Sequence, residues 1–425
     1  MAQTTDFPVR VPLVTKPMGI LASLAAARRN VLSIIPDIAT RQPMVSGKTG
    51  KRWHMVMDPD ALRKILLENV ANYPKSLVTK NLSHRNVRAL SPLVTDAAGR
   101  CSARLSQVGP RAVNMFDEMV ATTFDVISDV TFSDDKGFDR DAVHNAINAY
   151  VAEAGKVSLM DILGAPNWVP RLNRMITGPS LRQMKQIADQ VIDARRNGAE
   201  KSPPDLLDLL LAGEDPKTSR KMQTAELRDN LLTFIVAGHE TTALSLSWAL
   251  YLIAHDQRVQ DRARAEITTI VQGAEVTGDD VPNLPYIRQI IDESLRLYPP
   301  AAIVSRTAMA SDVLCGREVR KGDTIIIPIY ALHRSHVLWD RPDDFWPERF
   351  DDMKSVPRYS YLPFGDGPRI CIGASFAIQE AVIILASLLQ QFRFSPVAGR
   401  DPVPEMTLTL RPEGGVWLMA DPLGL

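Results

Sequence analysis

Apolar positions recur at helical spacing along most of the chain, and shorter strand-like runs lie between the helical segments. This spacing predicts helices over 59–67, 112–130, 180–197, 222–255 and 374–391. Strand-like runs occupy 53–57, 301–307 and 324–330. Because the helical segments are longer and more numerous, we expect a mainly α-helical fold in which strands are the minority.

The longest helical segment, 222–255, is apolar on several faces. At the usual rise per residue it would be about 50 Å long, and a helix that is apolar all round runs through the interior of a protein. Its midpoint nevertheless carries Gly238 and Glu240. A glycine inside a helix costs stability, and a buried glutamate costs more unless it is paired or protonated. The middle of this helix is therefore predicted to have a function.

Composition and charge exclude several classes of protein. The chain has 425 residues, of which 45% are hydrophobic, and its 49 basic residues equal its 49 acidic residues. Nothing in this balance favours nucleic acid or an anionic membrane as a partner. The apolar stretch 18–27 is too short to cross a bilayer, and three widely spaced cysteines argue against a disulfide framework. We expect a cytoplasmic protein that forms one domain over 1–425, with no membrane insertion.

The segment from Phe364 to Gly373 carries the most informative pattern. A glycine-rich turn places Cys371 directly before the predicted helix 374–391. Backbone N–H groups and the positive end of a helix dipole lower the pKa of a thiol and favour the thiolate. Gly367 and Gly373 allow the backbone to turn sharply or to approach a flat ligand. A lone cysteine is more often a core residue, so the neighbours of Cys371 decide the interpretation.

Those neighbours match the pattern Phe-x-x-Gly-x-Arg-x-Cys-x-Gly at every specified position, and this pattern resembles the cysteine-ligand loop of the cytochrome P450 family. The resemblance implies a P450-like fold with a long central helix over the haem and small β-sheets on one side. It implies haem b as cofactor and Cys371 as the axial thiolate ligand of its iron. Phe364 would then pack beside the thiolate, Gly373 would border the cofactor, and Arg369 would face a haem propionate.

A second motif lies outside the cysteine loop. Glu293 and Arg296 are three residues apart, which places them on one face of a helix, and Arg349 follows in a Pro-Glu-Arg-Phe segment. By itself the first pair is typical of a solvated surface. The resemblance instead implies a buried structural triad in which two arginines share the carboxylate and support the cysteine loop.

The third match is the sequence Ala-Gly-His-Glu-Thr-Thr in the long helix, which resembles the oxygen-activation motif of the family. Ala237 and Gly238 would lie over the haem and leave room for dioxygen. Thr241 would hydrogen-bond the oxygen and, with Glu240, organise the delivery of protons. The resemblance therefore implies that Glu240 and Thr241 are the catalytic pair.

Further residues are implied as haem or substrate contacts. His84, Arg88 and Arg306 match positions that hold haem propionates, although the glycine usual before the first two is missing. The segments that would surround the substrate by this resemblance are mainly apolar, which suggests a hydrophobic small molecule as the substrate. The residues predicted to border it are Val236, Ala237, Ala301, Ile303 and Val304.

Three functions remain open from the sequence. The first is a monooxygenase without a fused reductase, which would receive electrons from a ferredoxin or flavodoxin and its reductase. Basic residues near Arg100, Arg104 and Arg111 would suit an acidic partner, but also a solvated helix face. The second is a peroxide-dependent haem-thiolate enzyme, against which the Glu240–Thr241 pair argues. The third is a non-catalytic haem-binding or sensor protein, in which that pair would have no purpose.

Overall fold

The computed structural model describes residues 7–16, 18–49, 51–74, 88, 90–109, 111–132, 178–198, 205–213 and 219–423. Helices dominate these residues, as the sequence predicts. They are α1 (Ile20–Arg29), α2 (Pro59–Arg63), α3 (Ser91–Val108), α4 (Met115–Phe132), α5 (Gly178–Arg196), α6 (Leu206–Ala212), α7 (Thr224–His255), α8 (Gln257–Val271), α9 (Pro285–Leu297), α10 (Ile329–Leu332) and α11 (Ala374–Gln391). The fold class is thus mainly α.

The strands form small sheets. They are β1 (Met44–Thr49), β2 (Lys51–Val56), β3 (Ala112–Asn114), β4 (Val304–Thr307), β5 (Asp312–Leu314), β6 (Arg317–Val319), β7 (Thr324–Ile327), β8 (Phe392–Pro396), β9 (Val403–Met406), β10 (Leu410–Glu413) and β11 (Trp417–Pro422). The largest sheet has the order β1-β2-β7-β4, with β2 and β7 parallel and the other pairs antiparallel. A second sheet has the order β3-β11-β8, and the pairs β5–β6 and β9–β10 are separate.

The central helix α7 runs through the core. Its N-terminus is closed by a capping box, in which Gln223 N donates to Glu226 Oε2 at 2.9 Å. Its second half, from Thr242 onward, is buried without interruption to Ala254. Trp248 stacks on Tyr298 there, with ring centroids 3.9 Å apart. The prediction of an interior helix over 222–255 is confirmed.

Two of the predicted segments change type part-way. The helix predicted over 112–130 begins only at Met115, because Ala112–Asn114 pairs with β11 as a strand. The strand predicted over 324–330 ends at Ile327, since Pro328 interrupts the ladder and α10 follows. Both predictions were wrong at these residues because the apolar pattern does not mark where pairing with a distant strand starts or stops.

Helix α11 is long and apolar enough to cross a membrane, and it is the one helix with that property among the described ranges. It packs instead in the core against α3, α7 and α9. Its side chains from Ile378 to Leu389 are buried. The helix therefore joins the cysteine loop directly to the core of the protein.

Candidate active site

A cavity of about 450 Å³ lies between α7, the loop 362–373 and the first half of α11. Helices α4 and α9 and strand β4 contribute to the wall, and single residues of α6, α10 and β7 also border the cavity. Most of the lining side chains are apolar, among them Ile127, Phe234, Leu295, Val304 and Phe376. The cavity is large enough for a small organic molecule or a cofactor.

The cysteine loop forms one wall of this cavity. Asp366 accepts a hydrogen bond from Gly367 N at 2.6 Å and begins a single 3₁₀ turn. Cys371 N then donates to Phe364 O at 2.9 Å, which closes the loop two residues before the N-cap of α11. Gly367 has a φ of +72°, and a Cβ placed on it would lie 2.0 Å from the carbonyl oxygen of Leu66. The loop therefore rests directly on the backbone beside α2.

Two arginines share the cavity wall. Arg306 is 9% exposed, and its Nη1 donates to Ser305 O at 2.8 Å. Burial, and then repulsion from Arg369, lowers the pKa of Arg306. The two like charges lie close enough to repel each other, and an anion between them would relieve that repulsion. A flat group that carries two carboxylates, as haem does, would supply those anions, so the residues present fit haem.

The face of α7 above the loop is lined by small and hydroxyl-bearing residues. Ala237, Gly238 and Thr241 all border the cavity. Thr241 Oγ1 donates to Ala237 O at 2.6 Å, within its own helix. A Cβ on Gly238 would reach only ordinary contact, 3.5 Å from Ile127 Cδ1, so protein packing does not require the glycine. Its small size instead leaves room on the cavity side.

Glu240 lies apart from this face. Its Oε1 accepts hydrogen bonds from Arg411 Nε at 2.6 Å and from Thr409 Oγ1 at 2.9 Å. It is not among the described residues that line the cavity. The structure therefore brings Thr241 to the cavity but turns Glu240 toward β10, and it does not bring the two predicted catalytic side chains together.

Glu293, Arg296 and Arg349 meet as the sequence predicts. Arg296 Nε and Nη2 bond Glu293 Oε2 and Oε1 at 2.6 and 2.8 Å. Arg349 Nε donates to Glu293 Oε1 at 3.2 Å. The side chains of Glu293 and Arg296 are 0% exposed, and that of Arg349 is 5% exposed. This paired arrangement keeps buried charges compensated.

His333 connects this cluster to the cysteine loop. Arg296 Nη1 donates to His333 O at 2.8 Å, and Leu362 N donates to His333 Nε2 at 2.8 Å, two residues before Phe364. Nδ1 lies 3.2 Å from Arg296 O, so the neutral ring donates there and accepts at Nε2. Burial and the charge of Arg296 lower the pKa of His333 to about 3. This histidine therefore links the buried triad to the cysteine loop.

The other predicted contacts are divided between the cavity and the rest of the protein. Ala301 and Val304 line the cavity, as do Phe364, Arg369 and Gly373. Val236 and Ile303 do not line the cavity. Ile303 packs against the larger of two hydrophobic clusters, and Val236 packs against the smaller one. Arg88 pairs with Asp279 on the surface at 3.0 Å, away from the cavity wall. His84 lies outside the described residues.

Sequence reasoning missed several polar residues on the cavity wall, among them Thr242, Ser245 and Glu380. All three are less than a tenth exposed. The signal for Glu380 was available, because it is an acidic residue in the otherwise apolar segment 374–391. An ionisable residue in such a segment is a candidate for function when it has no charged partner.

The comparisons with known proteins agree with this site. A family model described as cytochrome P450 matches residues 69–419. The chain is 32% identical over 360 residues to putative cytochrome P450 132 of Mycobacterium tuberculosis, covering 80% of this chain and 76% of that protein. It is 30% identical over 416 residues to cyclooctat-9-en-7-ol 5-monooxygenase of Streptomyces melanosporofaciens, covering 89% and 88%. The crystal structure of the cytochrome P450DA haem domain matches with a TM-score of 0.80 at 24% identity, over 98% of this chain and 99% of that one.

The chain belongs to the cytochrome P450 family. It is a P450 monooxygenase with the P450 fold, and its cofactor is haem whose iron is bound by a cysteine thiolate. The predictions of family, fold, enzyme class and cofactor are confirmed.

Proposed function

We propose that this monooxygenase oxidises a hydrophobic small molecule in the described cavity, with Cys371 as the axial ligand of the haem iron. The observation that carries the proposal is that one cavity joins the Cys371 loop, the Thr241 face of α7 and two arginines, the buried Arg306 and the exposed Arg369. The apolar remainder of the wall favours a lipophilic substrate over a charged one. The relative named as a cyclooctat-9-en-7-ol monooxygenase is consistent with that class.

Several residues of the chain would position the cofactor and substrate. Haem bound through a thiolate supplies the activation of dioxygen. Arg306 and Arg369 would hold its carboxylates, while Phe364 would cover the sulfur of Cys371 on the side of the loop. The hydroxyl of Thr241 would orient a hydrogen bond into the cavity in place of its present bond to Ala237 O. The apolar side chains of α4 and α9 would exclude water from the substrate.

Electrons are proposed to come from a separate ferredoxin or flavodoxin with its reductase, in the cytoplasm, with the chain acting as one haem domain. Two of the three arginines that the sequence suggested for docking have their charge paired with a nearby carboxylate. Arg100 pairs with Asp129 at 2.6 Å, and Arg104 bonds Glu118 at 3.1 Å. Ile370, beside the ligand cysteine, is 53% exposed and offers an apolar centre for a docking surface on the thiolate side.

The experiment combines a spectrum with a turnover assay. The reduced protein with carbon monoxide is expected to show the red-shifted Soret band of thiolate ligation, and Cys371→Ser is expected to lose it. Lipophilic compounds that shift the iron from low to high spin would then be tested with a ferredoxin system and with peroxide alone. A histidine-type spectrum would overturn the ligand assignment, and product formation only with peroxide would overturn the partner assignment.

A further inference from the structure

Three successive residues of α7 meet three different parts of the protein. His239 is bonded to α4, because Thr123 Oγ1 donates to its carbonyl oxygen at 2.7 Å. Glu240 is bonded to β10 through Arg411 Nε at 2.6 Å. Thr241 borders the cavity. Successive positions of a helix point about 100° apart, so the bonds to α4 and β10 together fix the rotation of α7 about its axis at this turn.

Helix α4 lies directly beside this turn of α7. Thr123 itself is 0% exposed and borders the cavity. The ring of Phe124, the next residue, lies edge-on to the ring of His239, with the centroids 6.1 Å apart. One turn further along α4, Ile127 Cδ1 lies 3.5 Å from the place that a Cβ on Gly238 would take. The bond from Thr123 therefore sits within a close contact between the two helices.

We propose that Thr123 is a positioning residue for the oxidation reaction. Its bond to His239 O holds α7 at the rotation that presents the Thr241 hydroxyl to the cavity. The inference rests on the monooxygenase function and on the role of Thr241 proposed above. Thr123 acts through Thr241 and transfers no proton to the reacting atoms itself.

The hydroxyl of Thr123 can release α7 without losing its own hydrogen bond. It carries one proton, and Met119 O of its own helix lies 2.9 Å away, within reach of that proton. When the bond to His239 O breaks, the proton turns back to Met119 O, so no buried donor is left without a partner. The bond between the helices thus contributes only the net free energy of one hydrogen bond, which changes an equilibrium about fivefold.

Two substitutions separate this anchor from ordinary packing. Valine has nearly the shape of threonine without the hydroxyl, whereas serine keeps the hydroxyl without the methyl group. A packing role at position 123 would favour valine, and the proposed bond requires serine. Thr131, two turns further along α4, is the matched control. It is also 0% exposed, its hydroxyl has no hydrogen-bond partner among the described residues, and it is not part of the cavity wall that they form.

A first test does not depend on turnover. The infrared stretch of carbon monoxide on the reduced haem responds to the polar groups of the surrounding cavity wall. Thr123→Val should shift and broaden this band, because α7 then adopts other rotations, and Thr123→Ser should keep it close to the wild-type position. Thr131→Val should leave the band unchanged. A wild-type band in Thr123→Val, or an equal shift in Thr131→Val, would overturn the proposal.

A second test uses the working enzyme. The product formed per oxygen consumed should fall about fivefold in Thr123→Val and stay near the wild-type value in Thr123→Ser. Thr241→Ala removes the hydroxyl that the anchor positions, so adding Thr123→Val to it should lower this ratio no further. A second fivefold loss in the double variant would mean that Thr123 acts independently of Thr241, and the positioning role would be wrong.

The wild type separates the anchor from the function on which it rests. If the wild type forms no oxygen-dependent product, the proposed function fails, whereas the carbon monoxide spectra still test the anchor. If the wild type is active and Thr123→Val keeps its coupling, the function stands and the anchor is wrong. If Thr123→Val does not fold, Thr123→Ser decides alone, since a shifted band despite the retained hydroxyl contradicts the anchor.

Discussion

Replacing Gly367 by alanine tests how closely the cysteine loop is bound to the rest of the protein. Gly367 and Gly365 lie in the same loop and both have a φ of +72°. A Cβ on Gly367 would lie 2.0 Å from Leu66 O, whereas a Cβ on Gly365 would meet nothing within 4 Å. The two alanine variants therefore share the backbone strain and differ in the close approach.

The expected losses follow from these two causes. A left-handed conformation costs an L-residue about 1–2 kcal/mol, which applies to both variants. Forcing a methyl group against Leu66 O also requires the loop to shift by roughly 1 Å, and overpacking of this kind costs about 1–3 kcal/mol. Gly365→Ala should thus lose about 1–2 kcal/mol of stability, and Gly367→Ala about 2–5 kcal/mol.

Denaturant unfolding of the haem-free variants measures these losses, and haem content after purification measures the effect on the loop. Gly367→Ala should bind haem poorly and show a weakened thiolate band, because the shift occurs in the loop that carries Cys371. Gly365→Ala should bind haem nearly as the wild type does. Equal losses in both variants would refute the argument that the contact with Leu66 O, and not φ alone, selects glycine at 367.

Two further predictions concern His333 and Thr241. The pKa of His333 is lowered from 6.5 to about 3, so the unfolded chain takes up a proton on this histidine at a higher pH than the folded protein does. The contribution of the neutral ring to the free energy of unfolding should be complete above pH 6.5. It should fall by up to about 1.4 kcal/mol per pH unit as the pH drops toward 3. Unfolding titrations across that range check this, and a His333→Gln variant with an equally steep acid slope would contradict it. Thr241→Ala should retain haem but uncouple electron use from product, measured as peroxide released per NAD(P)H consumed; unchanged coupling would place the proton route elsewhere.

The sequence predicted the helices whose formation depends on the pattern of their own residues. Helices α7 and α11 were placed within two residues, because an apolar pattern over many turns identifies a buried helix without reference to its neighbours. The triad was predicted from two motifs more than fifty residues apart, since the family pattern already encodes their contact. Strand β3 was missed, because its three residues become a strand only by pairing with β11 near the C-terminus.

The orientation of side chains within the site was harder to predict from the sequence. The motif in α7 gives the spacing of Glu240 and Thr241 but not the rotation that turns the former toward Arg411, which a C-terminal hairpin supplies. Glu380 was treated as part of an apolar helix, although its acidity made it an exception to the pattern. Both errors arise because a one-dimensional pattern records the face of a helix approximately and its distant neighbours not at all.

The hydrogen-bonded path from Arg296 through His333 to Leu362 has a consequence for how this protein can be studied. The path ends two residues before Phe364, so loosening of the interior around Arg296 changes the geometry at the sulfur of Cys371. The visible absorption of the bound haem would then act as a built-in reporter of the core. Gradual heating should change the colour of the solution before the helices melt, and the interval between the two transitions would measure how far the interior can relax while the backbone remains folded.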